Sequence, residues 1–227
     1  MSDKLKVFIV GGGYDYAEMF KKEGWEVINE MMLADLVQFT GGSDVSPFLY
    51  EENKHPQTGN DPKRDQKEEE IFNAAKEMGI PMAGICRGGQ FLNVMNGGKM
   101  FQHVNNHASG PHVASALGYV GKVLVTSTHH QMMIPAIYED NIVLMTARES
   151  TRREKMGKFS PMSENGEHED VEAIYYPDNN CLCYQPHPEF TAAMIGPCRE
   201  VYFHFINNYL LPNVTIAEIE DNSKVVE

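Results

Sequence analysis

Ile80-Pro-Met-Ala-Gly-Ile-Cys86-Arg-Gly-Gly-Gln90 decides how this chain folds. A short apolar run, Pro81 to Ile85, stops at a glycine-flanked cysteine, and a helical pattern through Phe91, Leu92 and Met95 takes over at once. The stretch reads as strand, abrupt turn and helix with a thiol at the turn, a nucleophile elbow. Gly84 and Gly88 lie two residues either side of Cys86, where small residues let the backbone fold tightly enough to push the side chain out of the sheet. A sulfur at a helix N-terminus feels the dipole and the free N–H groups, which favour the thiolate. A lone cysteine is more often a small buried hydrophobe, so the reading needs a second piece.

Tyr184-Gln-Pro-His187-Pro-Glu189-Phe190 supplies it. In extended backbone, residues two apart point the same way, so Glu189 can reach the imidazole of His187. Pro188 fixes its own φ and biases His187 away from the helical region. A histidine backed by a carboxylate, with a separate exposed cysteine, is the general pattern of an activated thiol.

Around the elbow, apolar runs alternate with helical patterns. Strands are expected at Leu5–Val10, Trp25–Ile28 and Leu36–Thr40, with a helix from Asp15 to Glu23 between the first two. Asp65 and Glu68 suggest the start of a helix running through Met78 and stopped by Gly79, with Glu68-Glu69-Glu70 as a solvated face. Later strands are expected at Tyr119–Ser127, Ile142–Ala147, Val171–Tyr175 and Cys181–Gln185, and a final helix from Thr191 towards Tyr209. Cys181 and Cys183 alternate along one strand and read as core. The alternation predicts an α/β fold, a mainly parallel central sheet with helices on both faces. Ligands in such folds gather at the carboxyl ends of the strands, where Gly41, Cys86 and His187 would fall.

The 227 residues fit one domain, 1–212, followed by an acidic tail at 213–227. Net charge is −13, from 19 basic and 32 acidic residues, which argues against a nucleic-acid partner. No stretch approaches the ~20 apolar residues that span a bilayer, and the start lacks a secretory apolar region. Four cysteines without framework spacing fit a reducing cytoplasm.

The chain resembles the class I glutamine amidotransferase-like superfamily, whose fold is flavodoxin-like, and within it is most similar to the gamma-glutamyl-gamma-aminobutyrate hydrolase branch. Gly84-Ile-Cys-Arg-Gly-Gly-Gln90, Gly41-Gly-Ser-Asp44-Val-Ser-Pro47 with Tyr50-Glu51, Ser127-Thr-His-His-Gln131 and His187-Pro-Glu189 carry the likeness, with Arg64-Asp65 beside them. The resemblance implies cleavage of gamma-glutamyl amide bonds by Cys86, His187 and Glu189. It also implies an oxyanion hole from the N–H groups of Gly42 and Arg87, with Gln90, Ser127, His129, His130 and Gln131 around the substrate. It implies no metal and no organic cofactor. A small gamma-glutamyl molecule is the expected partner, with a separate synthetase subunit or a second copy of the chain left open. A glutaminase subunit that hands ammonia to a synthetase, and a scaffold with an idle site, are the alternatives. The chain departs from the family pattern in a polar stretch at 149–170, where a short turn is usual, and this reads as an insertion near the substrate side.

Two other features carry less. Gly11-Gly-Gly13 tempts a dinucleotide reading, but Tyr16 occupies the last glycine position of that pattern. His103, His107 and His112 sit close together in a polar loop without helical spacing or a cysteine, so they read as pocket-shaping histidines rather than a zinc site.

Overall fold

The computed structural model describes residues 4–108, 110–157, 161–190 and 196–212. In chain order the N-terminal elements are β1 (Lys6–Val10), α1 (Tyr14–Lys22), β2 (Glu26–Ile28), β3 (Leu36–Phe39), α2 (Pro62–Glu77), β4 (Met82–Ile85) and α3 (Arg87–Met95). Short strands follow: β5 (Lys99–Phe101), β6 (His103–Val104), β7 (His112–Ala116), β8 (Lys122–Val125) and β9 (Met132–Ile134). The chain then runs through β10 (Ile142–Ala147), β11 (Arg152–Met156), β12 (Pro161–Asn165), β13 (Asp170–Tyr176), β14 (Cys181–Tyr184) and α4 (Gly196–Phe205).

Nine strands form one sheet in the order β2-β1-β3-β4-β14-β13-β10-β7-β8. From β2 to β14 the pairings are parallel; from β14 to β8 they are antiparallel, so the sheet is mixed. β4 lies between β3 and β14, and all four of its residues are buried, which explains its unbroken apolar run. Alternate strand residues serve opposite faces. Leu36, Ala83, Leu182 and Tyr184 pack with Met19 and Phe20 of α1 and Val201 and Phe205 of α4. Val37, Met82, Cys181 and Cys183 pack with Phe72 of α2 and Phe91 and Leu92 of α3. The α/β arrangement with helices on both faces, and the core setting of Cys181 and Cys183, are as expected.

At nine residues α3 is too short to persist alone. Burying Phe91 and Leu92 contributes on the order of 1.5–3 kcal/mol each. Close approach to the sheet needs glycine. A Cβ on Gly88 would lie 2.4 Å from the Phe39 carbonyl oxygen, and one on Gly84 2.3 Å from the Gly88 carbonyl carbon.

Several boundaries differ from expectation. α2 begins at Pro62, where Asp61 caps it by accepting from the N–H groups of Lys63 and Arg64. Asp65 is therefore inside the helix, not at its start, and both it and Glu68 are buried. The solvated face expected at 68–70 is corrected for Glu68, because guanidinium groups draw it inward. Gly13, not Asp15, occupies the cap of α1, without a side-chain hydrogen bond. The strand expected over 119–127 shortens to Lys122–Val125 because Gly118 and Gly121 turn at positive φ. The polar stretch 149–170 contains the hairpin β11–β12, which adds to β6 as a separate three-stranded sheet. Residues 191–195, where the last helix was expected to begin, and the acidic tail at 213–227 lie outside the described residues. Among the described residues no helix is long and apolar enough to cross a membrane.

Candidate active site

β4 ends by presenting Cys86 at φ 52°, ψ −115°, a conformation that a side chain rarely adopts. Its N–H donates to the Tyr184 carbonyl at 2.7 Å and its carbonyl accepts from Gln90 N–H at 3.0 Å, which holds the turn. The side chain is mostly covered, yet it lines a cavity of about 280 Å³ with Gly42, Asp44, Gln57, Gln90, His129 and His130.

His187 follows β14, the parallel neighbour of β4. Its N–H donates to Thr126 Oγ1 at 2.5 Å. Its Nδ1 lies 2.6 Å from Glu189 Oε1, and Phe190 stacks on the ring at 4.6 Å. The other edge of the ring turns to the cysteine: a Cβ on Gly41 would touch both His187 Cε1, at 3.0 Å, and Cys86 Cβ, at 3.6 Å. Burial opposes charge on His187, but hydrogen bonds to Cys86 and Glu189 outweigh it and push its pKa up to about 10. The imidazole is thus poised to carry a proton beside the sulfur.

The loop after β3 closes the site. Gly41 donates its N–H to the Tyr16 hydroxyl at 3.0 Å. Gly42 sits at φ 140°. Among the described residues the N–H groups of Gly42 and of Arg87 donate to no hydrogen bond. Arg64 grips this loop from below, donating to the Gly41 carbonyl at 2.9 Å and the Thr40 carbonyl at 2.8 Å. Glu68 Oε1 accepts from Arg64 Nε at 2.6 Å and the same carboxylate pairs with Arg87, which also pairs with Asp65. Burial lowers the Arg87 pKa to about 10, against the pull of Asp65. Arg87 is fully buried, so its guanidinium braces the elbow and only its backbone can face the cavity.

The five residues expected around the substrate divide. Gln90, His129 and His130 line the cavity. Ser127 and Gln131 do not. Ser127 Oγ donates to the His107 carbonyl, and Gln131 Nε2 donates to Thr58 Oγ1 and the Gln102 carbonyl, both at 3.2 Å. Ser127 Oγ and Gln131 Nε2 hold loops together, and neither side chain lines this cavity.

The loop histidines also divide. His103 stacks with His55 at 5.9 Å and tilts against His130. His107 and His112 instead join His129 around the Glu172 carboxylate, all of them buried. One ligand atom from each of His107, His129 and Glu172 lies within 4.8 Å of the others, so these three could hold a metal ion. Burial and the neighbouring His107, His112 and His187 push the His129 pKa down, which keeps it neutral.

Sequence reasoning missed Tyr16, Thr126, Gln57 and the Asp65–Arg87–Glu68–Arg64 network. The network did leave a signal: Arg64 and Glu68 stand four apart on one helix face, with Asp65 beside them.

The Peptidase C26 family model matches residues 19–189. The glutamine amidotransferase-like protein YvdE of Lactococcus lactis is 32% identical over 183 residues, covering 72% of this chain and 69% of that one. Among solved structures, a chain of PurLQS from Thermotoga maritima superposes with a TM-score of 0.61 at 17% identity, over 91% of this chain and 99% of that one. A glutamine amidotransferase from Thermotoga maritima superposes at 0.54 with 16% identity, over 98% and 93%.

Proposed function

The chain belongs to the Peptidase C26 family, within the class I glutamine amidotransferase-like superfamily, and on that premise we propose that it hydrolyses gamma-glutamyl amides through a thioester on Cys86. Membership carries amide hydrolysis or glutamine amidotransfer as the activity class. The narrower reading rests on one observation: His187 touches Cys86 with one ring edge and Glu189 with the other, beside a cavity. A cavity of about 280 Å³ is at the small end for ligand sites, which favours a small amide over a polypeptide.

The reaction divides between few groups. The Cys86 thiolate attacks the gamma-carbonyl carbon, and the oxyanion that forms accepts from the N–H groups of Gly42 and Arg87. Protonated His187 gives its proton to the leaving nitrogen as the C–N bond breaks, leaving a gamma-glutamyl thioester. A water molecule then loses a proton to His187 and attacks the thioester. The C–S bond breaks, glutamate leaves and the thiolate returns. Glu189 orients the imidazole and favours its charged form. Gln90, Asp44 and His130 are placed to seat the glutamyl part, with the Asp44 carboxylate suited to its ammonium group.

An ammonia-delivering subunit is the alternative, and the fold shared with a PurLQS chain is what keeps it in view. A panel of gamma-glutamyl amines and glutamine, assayed on wild type and Cys86→Ala, tests the proposal. Efficient turnover of one amide by the wild-type chain alone, lost in the variant, supports it. Turnover that survives the substitution refutes the thioester, and a chain active only beside a synthetase selects the alternative.

A further inference from the structure

We propose that His107, His129 and Glu172, with His112 on the other side of the carboxylate, form a binding site for a divalent transition-metal ion of the zinc class. The site lies behind the wall of the cavity. Glu172 projects from β13, His112 opens β7, and His107 and His129 come from the loops before β7 and after β8.

Four observations carry this. Glu172 Oε1 stands 3.0 Å from His112 Nε2, 3.4 Å from His107 Nδ1 and 3.8 Å from His129 Nε2. Zinc bonds of about 2.0–2.1 Å put neighbouring ligands of a tetrahedral ion about 3.4 Å apart, so the nitrogens crowd that oxygen at ligand spacing. Second, His107 Nδ1, both ring nitrogens of His112 and of His129 and both Glu172 oxygens are buried yet make no hydrogen bond of acceptable geometry. Such a cluster is an anomaly for a protein interior, and a cation that takes their lone pairs would resolve it. Third, His107 offers Nδ1 towards Glu172 while its Nε2 stands 3.0 Å from Asp170 Oδ2, the carboxylate–histidine pairing that orients metal ligands. Asp170 is itself fixed by the N–H groups of Glu149 and Ser150, at 2.8 and 2.9 Å, and by Arg153 at 2.8 Å. Fourth, the donor set is imidazole and carboxylate without sulfur, which suits zinc, cobalt or nickel over calcium or magnesium.

The site is closed, which marks the ion as structural rather than catalytic. It would pin the 126–131 loop, whose Thr128, His129 and His130 line the cavity, to β13 in the antiparallel half of the sheet. The ion therefore holds a cavity wall and takes no part in the thioester chemistry.

The test uses the full chain, stripped with a chelator, in wild type and in Cys86→Ser, whose missing thiol removes the Cys86–His187 pair as a competing site. Zinc is added back, its stoichiometry is measured by elemental analysis after dialysis, and melting is followed in parallel. The expected result is about one ion per chain in both proteins and a higher Tm with zinc. Glu172→Gln and His129→Asn should each lose the ion, and His103→Asn should keep it. Should the Glu172 and His129 variants fail to fold, X-ray absorption of the zinc-loaded wild type reads the ligands directly: nitrogen and oxygen neighbours with imidazole scattering are expected. Absence of stoichiometric zinc, loss of the ion in Cys86→Ser, or sulfur in the absorption spectrum would overturn the proposal. Labelling of Cys86 is read separately, so failure of the metal site and failure of the hydrolase reading are distinguishable.

Discussion

His187 is the residue at which burial and charge oppose each other most directly. It is covered by protein, which disfavours its charge, and it stands between a sulfur and a carboxylate, which favour it; the balance puts its pKa at about 10. Because this lies above the usual histidine value of about 6.5, the stabilisation is present in full below that value and is lost as pH rises through about 10. Unfolding free energy of the wild type should therefore fall across that window, and Glu189→Gln should flatten the fall and move it to lower pH. The same substitution should lower kcat about 10²–10⁴-fold, the range for a misoriented acid–base group, and draw the alkaline limb of kcat/KM downward. Thermal or denaturant unfolding against pH, with a pH–rate profile, checks both. An alkaline limb unmoved by Glu189→Gln would mean that the carboxylate does not set the charge on His187.

The elbow element depends on contacts that tolerate little added volume. Gly88→Ala places its Cβ 2.4 Å from the Phe39 carbonyl oxygen, so α3 must lift from the sheet. We expect loss of activity together with a lower Tm, whereas Gly196→Ala, where a Cβ meets nothing within 4 Å, should change neither. Arg87 makes the second constraint. Arg87→Met leaves Asp65 buried without its guanidinium partner and Glu68 with Arg64 alone, and should cost about 3–5 kcal/mol in denaturant unfolding. Adding Asp65→Leu and Glu68→Leu should recover part of that. This element also separates what the sequence could tell from what it could not. The strand, turn and thiol at 82–86 and the His187-Pro-Glu189 pair are local patterns, so they were readable. The partners of Arg87 lie 22 and 19 residues away on another helix, and only packing brings them in. Glu68 looked solvated because Glu69 and Glu70 follow it, but the α2 register turns Glu68 inward. Of the 127–131 motif, the loop's path decided which side chains face the cavity and which bond elsewhere, and spacing alone does not encode that path.

Across the whole molecule, the parallel half of the sheet carries the elbow and His187, the antiparallel half carries the histidine cluster, and the β11–β12 hairpin forms a separate small sheet with β6. Among the described residues no hairpin residue lines the cavity. It acts from behind: Glu154 Oε2 reaches His55 Nε2 at 3.3 Å, and the Glu154 and Met156 carbonyls accept from the N–H groups of Gln102 and Asn53. His55 Nδ1 accepts in turn from the N–H of Gln57, which lines the cavity. Glu154→Ala should accordingly raise KM, on the order of tenfold, with little change in kcat, as expected when binding common to substrate and transition state is removed. Steady-state kinetics on the preferred amide checks this. The account as a whole turns on a sulfur that becomes acylated beside an imidazole. Its most direct test is peptide-level mass mapping after treatment with a glutamine-mimicking diazoketone. We predict one adduct, on Cys86, suppressed by a gamma-glutamyl amide and absent in Cys86→Ala; modification of Cys181, Cys183 or Cys198 with Cys86 left unmodified would contradict it.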